Sequence, residues 1–157
     1  MKKPQHHPGF VQLIYALKPI LRKHPPLALM HVDDMVDWMS WYWNRGTMAW
    51  WISDLTKEPR GVCLIRLFRT LDQFLDYDAH DPCGEFCFIE LLVARDPIVA
   101  QLLLEDLTDR WGEQNIVLWD HGTRTENGAP RMYTWERFMK LSRRLLLYQG
   151  GLTHGRV

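Results

Sequence analysis

Glu90 is the residue whose type and position best suit catalysis, because it is a carboxylate inside the apolar run that starts at Glu85 and ends at Ala94. A carboxylate among apolar side chains can act as a general base and take a proton from an attacking amine. The alternative is a structural ion pair with an arginine on a neighbouring strand, for which Arg66 is the candidate. The sequence leaves both interpretations open.

A second polar group, from Asp76 to Cys83 with Cys87 beyond it, contains side chain types that bind metals. It lacks the paired spacing of a zinc site and the glycine and terminal glutamate of a calcium loop. We therefore predict no metal site and interpret the segment as an acidic loop or a solvated turn. The sequence also contains no P-loop, dinucleotide-binding glycine pattern or Ser-His-Asp set.

The hydrophobic pattern predicts an α/β (α+β) fold with one mixed sheet that places Glu90 on a central strand. Apolar residues recur at helical spacing in two early segments, and Pro19 is expected to kink or split the first helix. Arg66 alternates with apolar neighbours, so its side chain is expected to face solvent or a cleft. The predicted elements are helices over 10–23 and 33–44, a hairpin of strands over 48–53 and 62–68, a short helix and loop over 70–84, a strand over 85–94, a helix over 99–111, a strand over 116–119 and a helix over 132–147.

The order strand, helix, strand after residue 85 predicts that the strands over 85–94 and 116–119 run parallel, since the helix forms the crossover between them. A strand as apolar as the first of these is normally covered on both faces. The sequence therefore places this strand at the middle of the sheet.

Composition limits the classes of partner. The chain has 157 residues and is 46% hydrophobic, so we predict a single domain over 1–157 with loose termini at 1–9 and 150–157.

Lys plus Arg and Asp plus Glu both number 19, which argues against nucleic acid and anionic membranes as partners. No apolar run is long enough for a membrane span, and three cysteines without a secretory leader favour a reducing, cytoplasmic location.

The most unusual composition is a set of tryptophans at Trp38, Trp41, Trp43, Trp50 and Trp51. Aromatic side chains dominate the cores of protein interfaces, so this set can line a pocket or form the surface of a homodimer. The alternative is ordinary packing beneath the sheet, which we expect for at least half of these residues.

The element order resembles that of the GNAT superfamily of acyl-CoA-dependent N-acetyltransferases. The resemblance covers roughly residues 10–147, and its best local stretch is Ile89–Arg95, which looks like the fourth strand of that family. A helix containing Leu102-Leu103-Leu104 follows. The resemblance implies a GNAT-like fold and the transfer of an acyl group from acetyl-CoA, or another acyl-CoA, to a small-molecule or protein amine.

In that family a loop of pattern Arg/Gln-x-x-Gly-x-Gly/Ala offers backbone amides to the pyrophosphate at a helix N-terminus. Here Arg95 and Ala100 match this pattern, and Ile98 stands at the first glycine. The resemblance implies that the cofactor-binding residues lie on the strand and at the start of the helix. These residues are Leu92, Val93, Ala94, Arg95, Val99 and Ala100.

The segment Asn127–Tyr133 resembles the family pattern Asn-x-x-Ala-x-x-x-Tyr with a spacing that differs by one residue. In the family this tyrosine can protonate the departing thiolate, so the resemblance implies a catalytic role for Tyr133 beside Glu90. The alternative is that Tyr133 only packs the start of the last helix.

A weaker likeness is to the toxin-activating lysine acyltransferases, which use acyl carrier protein as the acyl donor. Gly9-Phe10-Val11 resembles the Gly-His-Val start of that family, and Phe88-Ile89-Glu90 resembles its Phe-Ile-Asp strand. Phe10 stands at the position of the family's histidine and cannot accept a proton.

Two functions follow as hypotheses. The first is an acyl-CoA-dependent N-acyltransferase with Glu90 and Tyr133 as catalytic residues. The second is a catalytically inactive domain of the same architecture that acts as a binding or oligomerisation module through its aromatic surface. The departure at Ile98 favours the second, and the carboxylate of Glu90 favours the first.

Overall fold

The structure is a computed structural model that describes residues 5–112, 116–119, 131–141 and 143. Its described elements are α1 (Pro8–Leu21), α2 (Val32–Arg45), β1 (Met48–Ile52), β2 (Pro59–Phe68), β3 (Phe86–Ala94), α3 (Pro97–Trp111), β4 (Ile116–Trp119), β5 (Arg131–Tyr133) and the helical residues 135–141, here α4. Short 3-10 helices cover Pro25–Leu27 and Leu71–Leu75. The fold is therefore mixed α+β, as the hydrophobic pattern predicts.

Helix α1 begins with a histidine cap, since Nδ1 of His7 accepts a hydrogen bond from the Gly9 amide at 3.1 Å. Pro8 follows at the first helical position, where its missing amide costs nothing. Of the two expected effects of Pro19, a kink or a split, the split does not occur, because α1 continues to Leu21. Pro19 lies in the last turn, and the carbonyl that it leaves without a donor belongs to Tyr15, which is exposed and can be solvated by water.

Helix α2 is also capped by a histidine, with Nδ1 of His31 accepting from the Asp33 amide at 3.3 Å. It ends at Gly46, which takes a left-handed conformation with φ of 68° and donates its amide to the carbonyls of Tyr42 and Trp43. A glycine adopts this conformation without the steric cost of a Cβ. The predicted end of the second helix is confirmed.

The five described strands form one sheet in the order β1-β2-β3-β4-β5. Strands β1, β2 and β3 are antiparallel neighbours, and β1 forms an edge of the sheet. Strand β3 pairs with β4 in parallel from Phe86 opposite Ile116 to Ile89 opposite Trp119. Helix α3 connects these two strands, so the predicted crossover and the central position of β3 are both observed.

Each face of the sheet is covered by helices. Helices α1 and α2 pack with Met48, Val62, Leu64, Leu91 and Val93 on one face. Helix α3 and α4 pack on the other face, against a set that includes Cys63, Ile65, Cys87 and Ile89. Helix α3 approaches β2 so closely that a Cβ at Gly61 would lie 2.9 Å from Cγ1 of Val99. This position therefore requires glycine.

A β-bulge interrupts the pairing of β2 with β3. Leu64 lies opposite Leu91 and Ile65 lies opposite Ile89, so Glu90 has no partner in the ladder. The bulge changes which residues share a face: Ile89 packs on the α3 side, whereas Leu91 packs on the α1 and α2 side. Glu90 is the extra residue of the bulge. A bulge of this kind changes the direction in which the side chain of the extra residue points.

The predicted short helix and loop over 70–84 are present, and the helix is a five-residue 3-10 helix with Thr70 and Gln73 forming its capping box. The last predicted helix differs at its start. Residues 132–133 belong to strand β5 rather than to the last helix, because the chain pairs with β4 before it turns. The helix continues over 135–141, and residues 142 and 144–147 of the predicted helix lie outside the described part. Among the described helices, each is too short or too polar to cross a membrane.

Candidate functional site

The most buried charged group of the described chain is Arg66, whose side chain is fully excluded from solvent. The expectation that it faces solvent or a cleft is wrong. Its Nη1 donates to the Asp76 carbonyl at 2.6 Å, and its Nη2 donates to the Phe74 carbonyl at 2.6 Å. A longer contact of 3.5 Å joins Nη1 to the Gln73 carbonyl. These hydrogen bonds from Arg66 hold the segment 73–76, which follows β2, against the sheet.

Glu90 completes the coordination of this arginine. Nε of Arg66 donates to Oε2 of Glu90 at 2.8 Å, and the Glu90 side chain is 14% exposed. The ion pair that the sequence leaves open as an alternative is therefore present. Since buried charges are stable only when paired and hydrogen-bonded, each of these residues needs the other. The bulge is what brings the carboxylate to the face of the sheet on which Arg66 lies.

Tyr42 of α2 lies close to this pair, buried at 3% exposure. Burial raises the pKa of its hydroxyl well above the usual value, the Glu90 carboxylate raises it further, and Arg66 acts in the opposite direction. The ring of Tyr42 contacts those of Trp38 and Trp41 edge to face, with centroids 5.7 and 4.9 Å away. The Arg66 guanidinium also lies 5.7, 5.8 and 5.4 Å from the ring centroids of Phe68, Tyr77 and Phe88, so aromatic rings surround it.

His80 extends the cluster toward the surface, with its ring 5.7 Å from that of Trp41. Burial lowers the pKa of its imidazole, and the positive charge of Arg45 lowers it further. Nδ1 of His80 is buried and has no hydrogen-bond partner among the described residues. Arg45 itself lies over the Trp41 ring at 3.9 Å. This arrangement favours a neutral imidazole.

The acidic segment around Asp81 is held by internal hydrogen bonds. Oδ1 of Asp81 accepts from the Cys83 amide at 2.9 Å, and its other oxygen accepts from Arg69. The hydrogen bond from the Cys83 amide lowers the pKa of this carboxyl, and the Arg69 side chain lowers it further. Within the described residues, no three His, Cys, Asp or Glu side chains are placed to bind a metal ion.

The first turn of α3, where the resemblance implies a pyrophosphate, is capped by the chain itself. Oδ1 of Asp96 accepts from the Val99 amide at 3.0 Å, and Pro97 has no amide to offer. An aspartate cap contributes about 1 kcal/mol to helix stability and places a negative charge where an anion would bind. The start of α3 is therefore already occupied by a carboxylate.

The other residues implied to bind the cofactor lie around this turn. Arg95 is exposed and lies 3.8 Å from the Glu58 carboxylate, while its amide donates to the Arg60 carbonyl at 2.8 Å. Val99 and Ala100 are buried against the sheet, and Val93 is buried on the opposite face. The structure brings these residues to one end of β3. Leu92 and Ala94 are partly buried on the α3 side of the sheet.

Tyr133 lies in β5 rather than beside Glu90 in the aromatic cluster. Its side chain is buried, and its ring is 6.0 Å from that of Phe138 in α4. This contact matches the alternative that Tyr133 packs the start of the last helix. The rest of the segment that carries its resemblance, 127–130, lies outside the described residues.

An aromatic surface lies at the free edge of β1. The rings of Trp43 and Trp50 stack with centroids 5.0 Å apart and an interplanar angle of 29°. Trp50 and Trp51 are 37% and 36% exposed, and Ile52 is 41% exposed. Trp38, Trp41 and Trp43 are partly buried against the core, so more than half of the tryptophan set packs as predicted.

A groove runs along this edge, with a volume of about 220 Å³. This is below the roughly 300–1,000 Å³ of typical small-molecule sites, so the groove has room for a side chain and not for a whole cofactor. The residues that line the groove come from β1, the C-terminal end of α2 and the last turn of α3. Its lining residues are Trp43, Gly46, Met48, Trp50 and Arg110.

Sequence reasoning missed Tyr42 and His80 as neighbours of the Arg66 and Glu90 pair. Helix α2 and the loop after β2 are far apart in the sequence, and only the packing of both on one face of the sheet joins them. No spacing pattern in the sequence links His80 to the aromatic residues of α2. Comparison with known protein families, curated proteins and solved structures found no match to this chain.

Proposed function

We propose that this chain is a GNAT-like α+β domain that works as an interaction module and binds an extended polypeptide segment along the free edge of β1. The observation that carries the proposal is the exposed apolar edge formed by Trp50 and Trp51. An added strand would gain main-chain hydrogen bonds from β1, and the groove beside Trp43 would accept one of its side chains.

Free edge strands are normally protected, because their unpaired amides and carbonyls pair with other chains. The usual protective devices are proline, lysine or an inward-facing charge, and none of these residue types occurs in Met48–Ile52. A bulge between Trp51 and Ile52 twists only the last residue of the strand. The segment from Met48 to Trp51 therefore remains suited to pairing.

The residues implied in catalysis support this choice of function. Glu90 is held by Arg66, the start of α3 is capped by Asp96, and Tyr133 packs against Phe138. Each of these side chains has a structural partner in the described chain. The three cysteines are free thiols, which supports a reducing, cytoplasmic location as part of the proposal.

A display library of random nine-residue peptides tests this function. Selection on the wild-type protein should enrich peptides with alternating apolar and aromatic residues, because alternate side chains of an added strand face the same side. The Trp51→Lys variant should no longer bind these peptides, since a lysine on an edge strand opposes pairing with another strand. Leu55→Lys, at an exposed position just beyond the strand, is the matched control and should retain them. Equal binding by both variants would contradict the proposal.

Acyl transfer from acyl-CoA to an amine is the second candidate, and the partial exposure of Glu90 supports it. The Glu90 side chain is 14% exposed, so the carboxylate that the resemblance assigns to catalysis is not fully closed to water. In the GNAT architecture that the chain resembles, the acyl donor lies along the central strand. The acceptor would be a small-molecule or protein amine.

Isothermal titration with acetyl-CoA and with coenzyme A tests the second candidate. Asp96→Ser keeps a capping side chain and removes the negative charge, so it should tighten binding about tenfold if the pyrophosphate lies at the start of α3. Asp54→Ser removes an exposed charge from the loop after β1 and should leave the affinity unchanged. Absence of heat with wild-type protein and with Asp96→Ser at millimolar ligand would exclude this candidate.

A further inference from the structure

We propose that residues 70–80, here called the covering segment, open away from the sheet in acid, and that His80 is the group that makes this opening sensitive to pH. The segment follows β2 and lies over the buried pair of Arg66 and Glu90. Its opening would give solvent access to a face of the sheet that is otherwise closed. This opening requires neither of the two candidate functions.

The covering segment takes the place of a helix at one end of the sheet. Helices α1 and α2 cover most of one face, but Phe68 and Phe88 belong to a separate cluster. These two rings share the face of Arg66, since Phe68 is two residues away in β2 and Phe88 is the register partner of Arg66. Leu71 and Phe74 of the covering segment pack against them.

Polar contacts hold the segment more than apolar burial does. Of residues 70–80 only Ala79 is buried, and the 3-10 helix over Leu71–Leu75 has no buried residue. The strongest attachments are the hydrogen bonds from Arg66 to the carbonyls of Phe74 and Asp76, at 2.6 Å each. Segments with few buried apolar contacts open locally at a lower free energy than the core of a protein unfolds.

The chain is fixed to the sheet on both sides of the covering segment. Before it, the chain leaves β2 at Phe68. After it, the Asp81 amide donates to the Leu67 carbonyl at 2.8 Å, and Gly84 lies so close to Phe68 that a Cβ would be 2.6 Å from its backbone. The segment can therefore open as a local unit while the sheet stays folded.

His80 connects the covering segment to α2. Its Nδ1 is buried without a hydrogen-bond partner among the described residues, and its ring contacts that of Trp41 edge to face. Burial lowers the pKa of His80, and the charge of Arg45 lowers it further. Asp81 acts in the opposite direction, but its carboxylate is already paired with Arg69. The closed segment therefore favours the neutral imidazole.

The other charged groups of this region do not balance a proton on His80. On the sheet, Arg66 and Glu90 pair with each other at 2.8 Å. Within the segment, the side chains of Asp76 and Asp78 are exposed, and Oδ1 of Asp76 accepts a hydrogen bond from the Asp78 amide. A protonated imidazole is thus more stable in the open segment, where water surrounds it.

Proton linkage gives the direction of the effect. In the open segment His80 titrates near pH 6.5, as a solvated histidine does. In the closed segment its pKa is lower, so between these two values the open form binds a proton that the closed form does not. The closed form is fully favoured above about pH 6.5. As the pH falls below this value, the opening equilibrium rises by up to about tenfold for each pH unit.

Hydrogen exchange followed by mass spectrometry tests this proposal on the full chain. The reporter is a peptide over 70–80, in which the amides of Asp76 and Ala79 donate to carbonyls of the same segment. Each exchange rate is divided by the intrinsic rate at that pH. Between pH 7.5 and pH 5.5 this ratio should rise several-fold, up to about tenfold. A peptide over 86–94, from the centre of the sheet, should show no such rise.

Two histidine variants identify the titrating group. His80→Gln keeps a polar side chain without a titratable charge, so its ratio should be the same at both pH values. His24→Gln is the matched control, because His24 lies between α1 and the first 3-10 helix, and it should keep the wild-type rise. An unchanged ratio in the wild type, an equal rise in His80→Gln, or an equal rise in the peptide over 86–94 would each overturn the proposal.

Discussion

Replacing Arg66 with methionine should lower the free energy of unfolding by about 3–5 kcal/mol. The change leaves the Glu90 carboxylate without its partner, and it removes the donors that satisfy the carbonyls of Phe74 and Asp76. An unpaired charge in a site that is nearly closed to water is among the most destabilising defects in a folded protein. Urea denaturation followed by circular dichroism measures the change.

Two comparisons make this test specific. Arg69→Met removes a neighbouring arginine that is two-thirds exposed and paired with Asp81, so it should cost about 0–1 kcal/mol. The double variant Arg66→Met with Glu90→Leu should lose less than Arg66→Met alone, because it leaves no buried charge behind. Equal losses for Arg66→Met and Arg69→Met would show that the pair does not hold the loop.

Raising the pH above about 8.5 should destabilise the protein steeply through its two buried thiols. Burial raises the pKa of Cys63 and of Cys87 well above the usual value. The unfolded chain releases these protons near pH 8.5, while the folded chain retains them. The stabilisation is therefore complete below pH 8.5 and is lost as the pH rises, at about 1.4 kcal/mol per thiol for each pH unit.

Denaturation curves between pH 7.5 and pH 10, in a reducing buffer, measure this slope. Cys63→Ala and Cys87→Ala should each remove about half of it, and the double variant should remove nearly all. Cys83→Ala, at an exposed position, is the control and should leave the slope unchanged. Tyr42 adds to the effect only near pH 10, where an unburied tyrosine ionises. A stability that does not change with pH in the wild type would contradict the prediction.

Much of the fold can be predicted from the sequence, because several independent signals agree along the chain. Helical spacing places three of the helices within two residues of their observed bounds. The order strand, helix, strand predicts the parallel pairing of β3 with β4. The last predicted helix begins three residues too early, because Met132 and Tyr133 pair with β4 and β-pairing partners distant in sequence leave no local signal.

Less of the candidate site than of the fold could be predicted from the sequence. Alternation predicts which face of β2 carries Arg66, but it cannot show that the loop after β2 folds over that face. The bulge that gives Glu90 its direction depends on how β2 and β3 align, and no residue type marks it. The role of Asp96 as the cap of α3 depends on backbone geometry that the sequence only suggests.

The bulge at Glu90 determines where β3 can lose a residue without reversing its two faces. Glu90 is the supernumerary residue of β3, since residues on both sides of it keep their partners in β2. A chain that lost Glu90 by deletion would keep Leu91 facing α1 and α2 and Leu92 facing α3, so the sheet itself would tolerate the loss. Deletion of Ile89 would instead bring the carboxylate into the α3 core. Of these two deletions, loss of Glu90 is therefore the one that keeps the faces of β3, and it requires an apolar residue in place of Arg66.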